Sequence, residues 1–185
     1  TNGIGDSYVY FKDVVATKFY AEAYISTFSY QSYALGNEAD KFPKIGMCVR
    51  NKEACMFFYI DAANNYTSKQ VGYTQSVYGA SGVWDWEATE KLEELDIVYR
   101  NNELDLENNY VKMAIIRDGK NFYLCVNDEV IFKTDDLRNL GDNDLASVGF
   151  LGFSSPLVVK DYSITTSSSE VDAILNEFVA KTTGE

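Results

Sequence analysis

The run Val111–Lys133 constrains this chain more than any other stretch. Three strand-like segments, Tyr110–Arg117, Phe122–Val126 and Glu129–Lys133, are separated only by Asp118-Gly119 and Asn127-Asp128 with their immediate neighbours. Asp-Gly between two such segments is the strongest short-range hairpin signal, because a two-residue turn needs residues that take positive φ. Connections this short allow only antiparallel pairing, since a parallel crossover needs a dozen or more residues. The run therefore reads as a three-strand antiparallel meander.

The remaining chain follows suit. Tyr8–Val15 and Lys18–Tyr30 come first, and in the second Phe19, Ala21, Ala23 and Ile25 alternate with Tyr20, Glu22, Tyr24 and Ser26. That period of two gives one apolar and one more polar face. Further strands are predicted over Lys44–Arg50, Ala54–Ala62, Gln70–Gln75, Leu95–Arg100, Ser147–Phe153 and Val158–Thr165. Short strands with turns every 8–12 residues or so indicate a sandwich or barrel. With 185 residues, one domain of this kind buries roughly 70% of its unfolded surface. After Ser167-Ser168-Ser169 the period changes: Val171, Ile174, Leu175, Phe178 and Val179 fall at helical spacing. This predicts an amphipathic helix of about three turns, capped by Ser169, which either docks on the sandwich or leads to a neighbouring domain. The expected organisation is an all-β antiparallel sandwich over 1–166 and a Ser-rich connector with a helix over 167–185.

The string from Tyr110 to Phe132, in which one strand ends in Arg117-Asp118-Gly119 and the next runs from aromatic Phe122-Tyr123 to Val126-Asn127, resembles a recurring segment of concanavalin A-like lectin/glucanase domains. Val148-Gly149-Phe150-Leu151-Gly152 with Val158–Ile164 looks like their closing strand pair, and Phe19–Ile25 with Ile45–Arg50 like their first. The resemblance spans about residues 8–165 and implies a jelly roll of the laminin-G-like kind. That superfamily contains lectins, carbohydrate-binding modules of bacterial glycan-degrading enzymes, glycoside hydrolases and protein-binding laminin-G modules, and fold alone does not choose among them. What the resemblance implies first is a non-catalytic, lectin-like carbohydrate-binding module of a secreted or cell-surface bacterial protein. A protein-binding or structural module of a surface adhesin is the alternative, and a glycoside hydrolase the third reading. Many members carry a structural calcium.

Charge narrows the partners. The chain carries 28 acidic and 16 basic residues, net −12, with no Lys/Arg cluster, which excludes nucleic acid and disfavours polyanionic glycans. A neutral glycan fits better. No apolar run approaches the 18–20 or so residues that would insert in a membrane. Thr1 is not a natural start and no leader is visible, so an excised domain with neighbours in a larger protein is expected.

Candidate chemistry is sparse. There is no His, so no His-based triad or His-metal centre. Glu94 and Asp96 match two positions of the carboxylate strand of retaining glucanases of the superfamily, but Val98 or Tyr99 stands where the acid/base should be. The expectation is no catalysis. For binding, sugars stack their C–H faces on exposed rings, and Tyr73, Tyr78, Trp84 and Trp86 crowd the glycine-containing segment Val71–Glu87. The competing reading of the two tryptophans is core. Arg50, Arg100 and Arg117 end strands, where they either reach into a rim groove or serve as edge charges. The loop Thr134–Asp144 is rich in Asp and Asn, with Asp142 and Asp144 as candidate calcium ligands. Cys48 and Cys55 lie symmetrically about Asn51-Lys52, so a hairpin would set them opposite each other, either as a cross-strand disulfide or as two small buried thiols.

Overall fold

The computed structural model describes residues 7–27, 44–61, 70–77, 90–97, 109–153 and 157–183. The strands among them are β1 (Ser7–Ala16), β2 (Lys18–Ser26), β3 (Lys44–Arg50), β4 (Ala54–Asp61), β5 (Gln70–Val77), β6 (Glu90–Ile97), β7 (Val111–Asp118), β8 (Asn121–Val126), β9 (Glu129–Thr134), β10 (Ala146–Phe153) and β11 (Val158–Thr165), followed by helix α1 (Ser168–Thr183). One sheet has the order β1-β10-β3-β4-β5-β6 and the other β11-β2-β7-β8-β9. Every pairing is antiparallel. The expected all-β sandwich with a C-terminal helix is the fold that forms.

Period-two alternation decides which side chains meet between the sheets. Phe19, Ala21, Ala23 and Ile25 of β2 and Val111, Met113 and Ile115 of β7 face Ile45, Met47 and Val49 of β3 and Met56, Phe58 and Ile60 of β4 in one buried cluster. Removing each larger side chain from water is worth about 1.5–3 kcal/mol.

The turns hold two lessons. Asn127 and Asp128 both have positive φ, 49° and 66°, and connect the paired residues Val126 and Glu129 as a type I′ turn. In the preceding hairpin Asp118 pairs with Asn121, so the turn residues are Gly119-Lys120, one position later than the Asp-Gly signal. Gly119 has φ 61°, a left-handed conformation that favours glycine, and a Cβ there would lie 2.6 Å from Asp142 Oδ1, so that carboxylate would have to swing aside.

Three expectations shift. β6 begins at Glu90, five residues before the predicted Leu95, and pairs Glu94 with Thr74 and Asp96 with Gly72; its side chains lie outside the described residues. In the β3–β4 hairpin Glu53 joins the turn, so Cys48 stands opposite Phe57 and Cys55 opposite Arg50 instead of facing each other. All three cysteines are buried free thiols. The predicted strand from Lys18 ends at Ser26.

Helix α1 runs 16 residues, over four turns. Its first intrahelical bond goes from Val171 N to Ser167 O (2.9 Å), which makes Ser167 the cap where Ser169 was expected. Of the two roles open to it, the helix takes docking. Val171 and Phe178 bury against Tyr20, Ala114, Ile116 and Cys125 on the outward face of the five-stranded sheet. Lys18 Nζ ties the helix to its strand through Asp172, at 2.6 Å. Beside it, Lys112 pairs with Glu22 (2.6 Å) and Asp128 (2.7 Å), and the Tyr20 hydroxyl donates to Glu22. No described helix is long and apolar enough to cross a membrane.

Burial under this helix pushes the Cys125 thiol from about 9.0 up to about 12, with Asp128 adding to the rise and Lys112 opposing it. In the unfolded chain the thiol ionises at the ordinary value. Its contribution to stability is therefore complete below about pH 9.0 and disappears as pH climbs through about 12. Cys125→Ala should flatten the fall of the thermal midpoint across that alkaline window relative to wild type. Parallel pH profiles for the two proteins would assign the fall to other groups.

Candidate functional site

Across one end of the six-stranded sheet, hydrogen-bond register aligns Val15 of β1, Ser147 of β10, Arg50 of β3 and Cys55 of β4. The neighbours Ala16, Val148 and Val49 pack toward the core, so alternation turns this row outward. Beyond the row lie the turn Asn51–Glu53 and the loop Asn143–Leu145, and together they frame an open cleft of about 440 Å³.

Local bonding explains why the walls stand where they do. Asn51 Oδ1 accepts from the backbone N–H groups of Glu53 (2.8 Å) and Ala54 (2.7 Å), folding the chain tightly after Arg50. The same side chain donates from Nδ2 to Asn139 O at 2.6 Å, joining the hairpin turn to the acidic loop. In that loop Asp144 Oδ2 accepts from Gly141 N (2.7 Å), and Asp144 N donates back to Gly141 O (3.2 Å). The cleft thus presents two cations (Arg50, Lys52), two carboxylates (Glu53, Asp144), the Asn143 amide and the Ser147 hydroxyl. Beside them Leu145 and Val15 are 58% and 48% exposed. Balanced charge, amide and hydroxyl groups and bare aliphatic surface can hold a neutral, hydroxyl-rich molecule: donors and acceptors for its hydroxyls, and Leu145 and Val15 for its C–H faces.

The residues singled out from sequence divide sharply. Arg50 and Asp144 are brought together at the cleft. Tyr73 is not a ligand contact: it is 1% exposed in the core, its ring 5.1 Å from that of Phe132, because its position in the β5 alternation faces the opposite sheet. Tyr78, Trp84, Trp86 and Arg100 lie outside the described residues. Arg117 is fully buried, not a rim charge. Val15, Lys52, Glu53 and Leu145 escaped sequence reasoning, and Asn143 entered it only as part of the acidic loop; the available signal was a strand-terminal arginine followed at once by the polar turn Asn-Lys-Glu.

The donor set of the acidic loop does not suit calcium, which takes six to eight oxygen ligands. Asp142 Oδ1 accepts from Lys120 N (3.0 Å) and Asp144 Oδ2 from Gly141 N, while the carbonyl oxygens of Gly141 and Asp144 accept from Arg117. Among the described residues no three or more His, Cys, Asp or Glu side chains gather as a metal site.

No protein-family model matches the chain, and no curated protein matches it by sequence. Solved structures do. A carbohydrate-binding module, CBM66 of Bacillus subtilis, superposes with a TM-score of 0.55 at 13% identity, covering 88% of this chain and 83% of its own. The Caenorhabditis elegans galectin LEC-6 gives 0.51 at 9% identity over 86% of this chain and 89% of its own. CG-16, a homodimeric agglutinin from chicken liver, gives 0.50 at 9% identity over 87% of this chain and 100% of its own. The fold is a concanavalin A-like jelly roll. At such identities the likeness extends to the architecture of this jelly roll and stops there, so its cleft must be argued from its own residues.

Proposed function

We propose that this jelly roll is a non-catalytic carbohydrate-binding module of a secreted or cell-surface bacterial protein, and that it holds a neutral glycan at the rim cleft. The observation that carries the reading is the cleft's composition: two cations, two carboxylates and an amide around exposed Leu145 and Val15. In a chain of net charge −12, a locally balanced cleft of this kind favours hydroxyl groups over anionic sugars. The likeness in fold to a bacterial carbohydrate-binding module and to galectins supports it.

Screening the domain on a glycan array and by calorimetry, with neutral and acidic glycans, is the direct test. A neutral glycan should bind and remain intact after prolonged incubation. Arg50→Ala should then weaken binding by the folded protein about 10–100-fold, the value of a lost charge-assisted hydrogen bond. Undiminished affinity in Arg50→Ala would place the sugar elsewhere. Failure of every glycan to bind would turn the reading toward an adhesin-type protein-binding module.

A further inference from the structure

We infer that the guanidinium of Arg117 is a built-in structural cation, doing at this rim what a bound metal ion would otherwise do. The side chain leaves the end of β7, passes over the Phe122 ring (5.2 Å) and is completely buried. Its donors then fan out to four backbone carbonyl oxygens. Nε reaches Gly119 O at 2.8 Å, Nη1 reaches Ala16 O at 2.8 Å, and Nη2 reaches Gly141 O at 2.9 Å and Asp144 O at 2.5 Å.

Those acceptors come from three separate segments: the end of β1, the β7–β8 turn, and the loop leading into β10. The Ala16–Ala146 pair, Gly119 N donating to Thr17 O (2.9 Å) and Lys120 N donating to Asp142 Oδ1 (3.0 Å) join these segments two at a time, and the guanidinium joins all three. A planar group with donors in fixed directions can gather them at once, which a single ammonium cannot. Around this inner shell of neutral oxygens stand Asp142 and Asp144, whose negative charges favour the cation while one oxygen of each accepts from a backbone N–H group. Carbonyl oxygens inside and carboxylates close by make the environment a hard cation favours. Here the cation is covalently part of the chain. Burial pulls the guanidinium down to about 10, against the opposing pull of Asp144 and Asp142, so it keeps its charge at neutral pH.

Two consequences separate this assignment from an ordinary buried arginine. The rim should be indifferent to divalent ions, and the vacated position should accept a free cation of matching shape. Melting temperatures of the full chain should agree in excess calcium and in excess chelator. Arg117→Ala should melt about 10 °C lower, and millimolar methylguanidinium should recover part of that loss where sodium chloride of equal ionic strength does not. Arg117→Lys keeps the charge, loses the fork, and should melt well below wild type without responding to methylguanidinium. It also provides the reading if the alanine variant does not fold. A wild-type midpoint that moves with calcium or chelator would overturn the assignment. So would an Arg117→Lys protein as stable as wild type, or an alanine variant that methylguanidinium leaves unchanged.

Discussion

Tyr73→Ala should destabilise the domain by about 3–5 kcal/mol in urea unfolding, the range for removing a large aromatic side chain from a packed core. The ring is 1% exposed and belongs to the main core cluster, where Phe132 of the opposite sheet lies 5.1 Å from it at an interplanar angle of 31°. Register places Tyr73 between Phe58 and Leu95 in the middle of the six-stranded sheet. The cavity left by alanine cannot be closed by a strand hydrogen-bonded on both sides, so the cost belongs at the upper part of the scale for its size. Tyr73→Phe keeps the ring and should cost much less. Neither change should alter the affinity of the folded fraction for a glycan bound at the cleft. A loss of stability below about 1 kcal/mol accompanied by lost affinity would return Tyr73 to the ligand site.

The contrast between Tyr73 and Arg50 shows how far the sequence could be read. Strands, their antiparallel pairing and the meander turns are local properties, carried by alternation and by residues that tolerate positive φ, and Asn127-Asp128 adopts the conformation its composition demands. Alternation divides a strand into two faces without saying which one a tyrosine shares with the core. On β4 it even misleads, because Phe57 and Tyr59 pack their rings 5.0 Å apart on the outward face while Phe58 points in. The Cys48–Cys55 register went astray for a single side chain: Asn51 caps two backbone N–H groups and draws Glu53 into the turn. The acidic loop was legible as a cluster of carboxylates but not as a cradle, since its cation arrives from β7, 24 and 27 residues away in sequence. Nor does any periodicity join Arg50 to Asn143 and Leu145; only the assembled sheet brings those segments to one rim.

Phe178→Ala should cost about 3 kcal/mol and expose the outward face of the five-stranded sheet. The same spacing of Val171, Ile174, Leu175 and Phe178 would serve a helix that docks or one that leads away, so the energetics of this position discriminate between the two. Phe178 is 5% exposed, its ring 6.1 Å from that of Tyr20, and Val171 is fully buried one helical face away from solvent. Beneath them lie Ile116 and Cys125, both fully buried and both surface residues of the sheet if the helix lifts. Losing the phenyl ring therefore removes more than its own burial: it weakens the cover over Ile116, Cys125 and the half-buried Tyr123 and Val130. Lys18–Asp172 and Glu177–Lys181 cannot compensate, since ion pairs that water reaches are worth about 0–1 kcal/mol each. Val179, on the solvent side at 41% exposed, supplies the control, and Val179→Ser should change stability by no more than about 0.5 kcal/mol. Hydrogen exchange should report the Phe178→Ala defect first in α1, then at the β2 and β7 amides beneath it. A helix that merely tethers a neighbouring domain would leave both the unfolding midpoint and the protection of β2 unchanged, and that outcome would detach α1 from the folding unit.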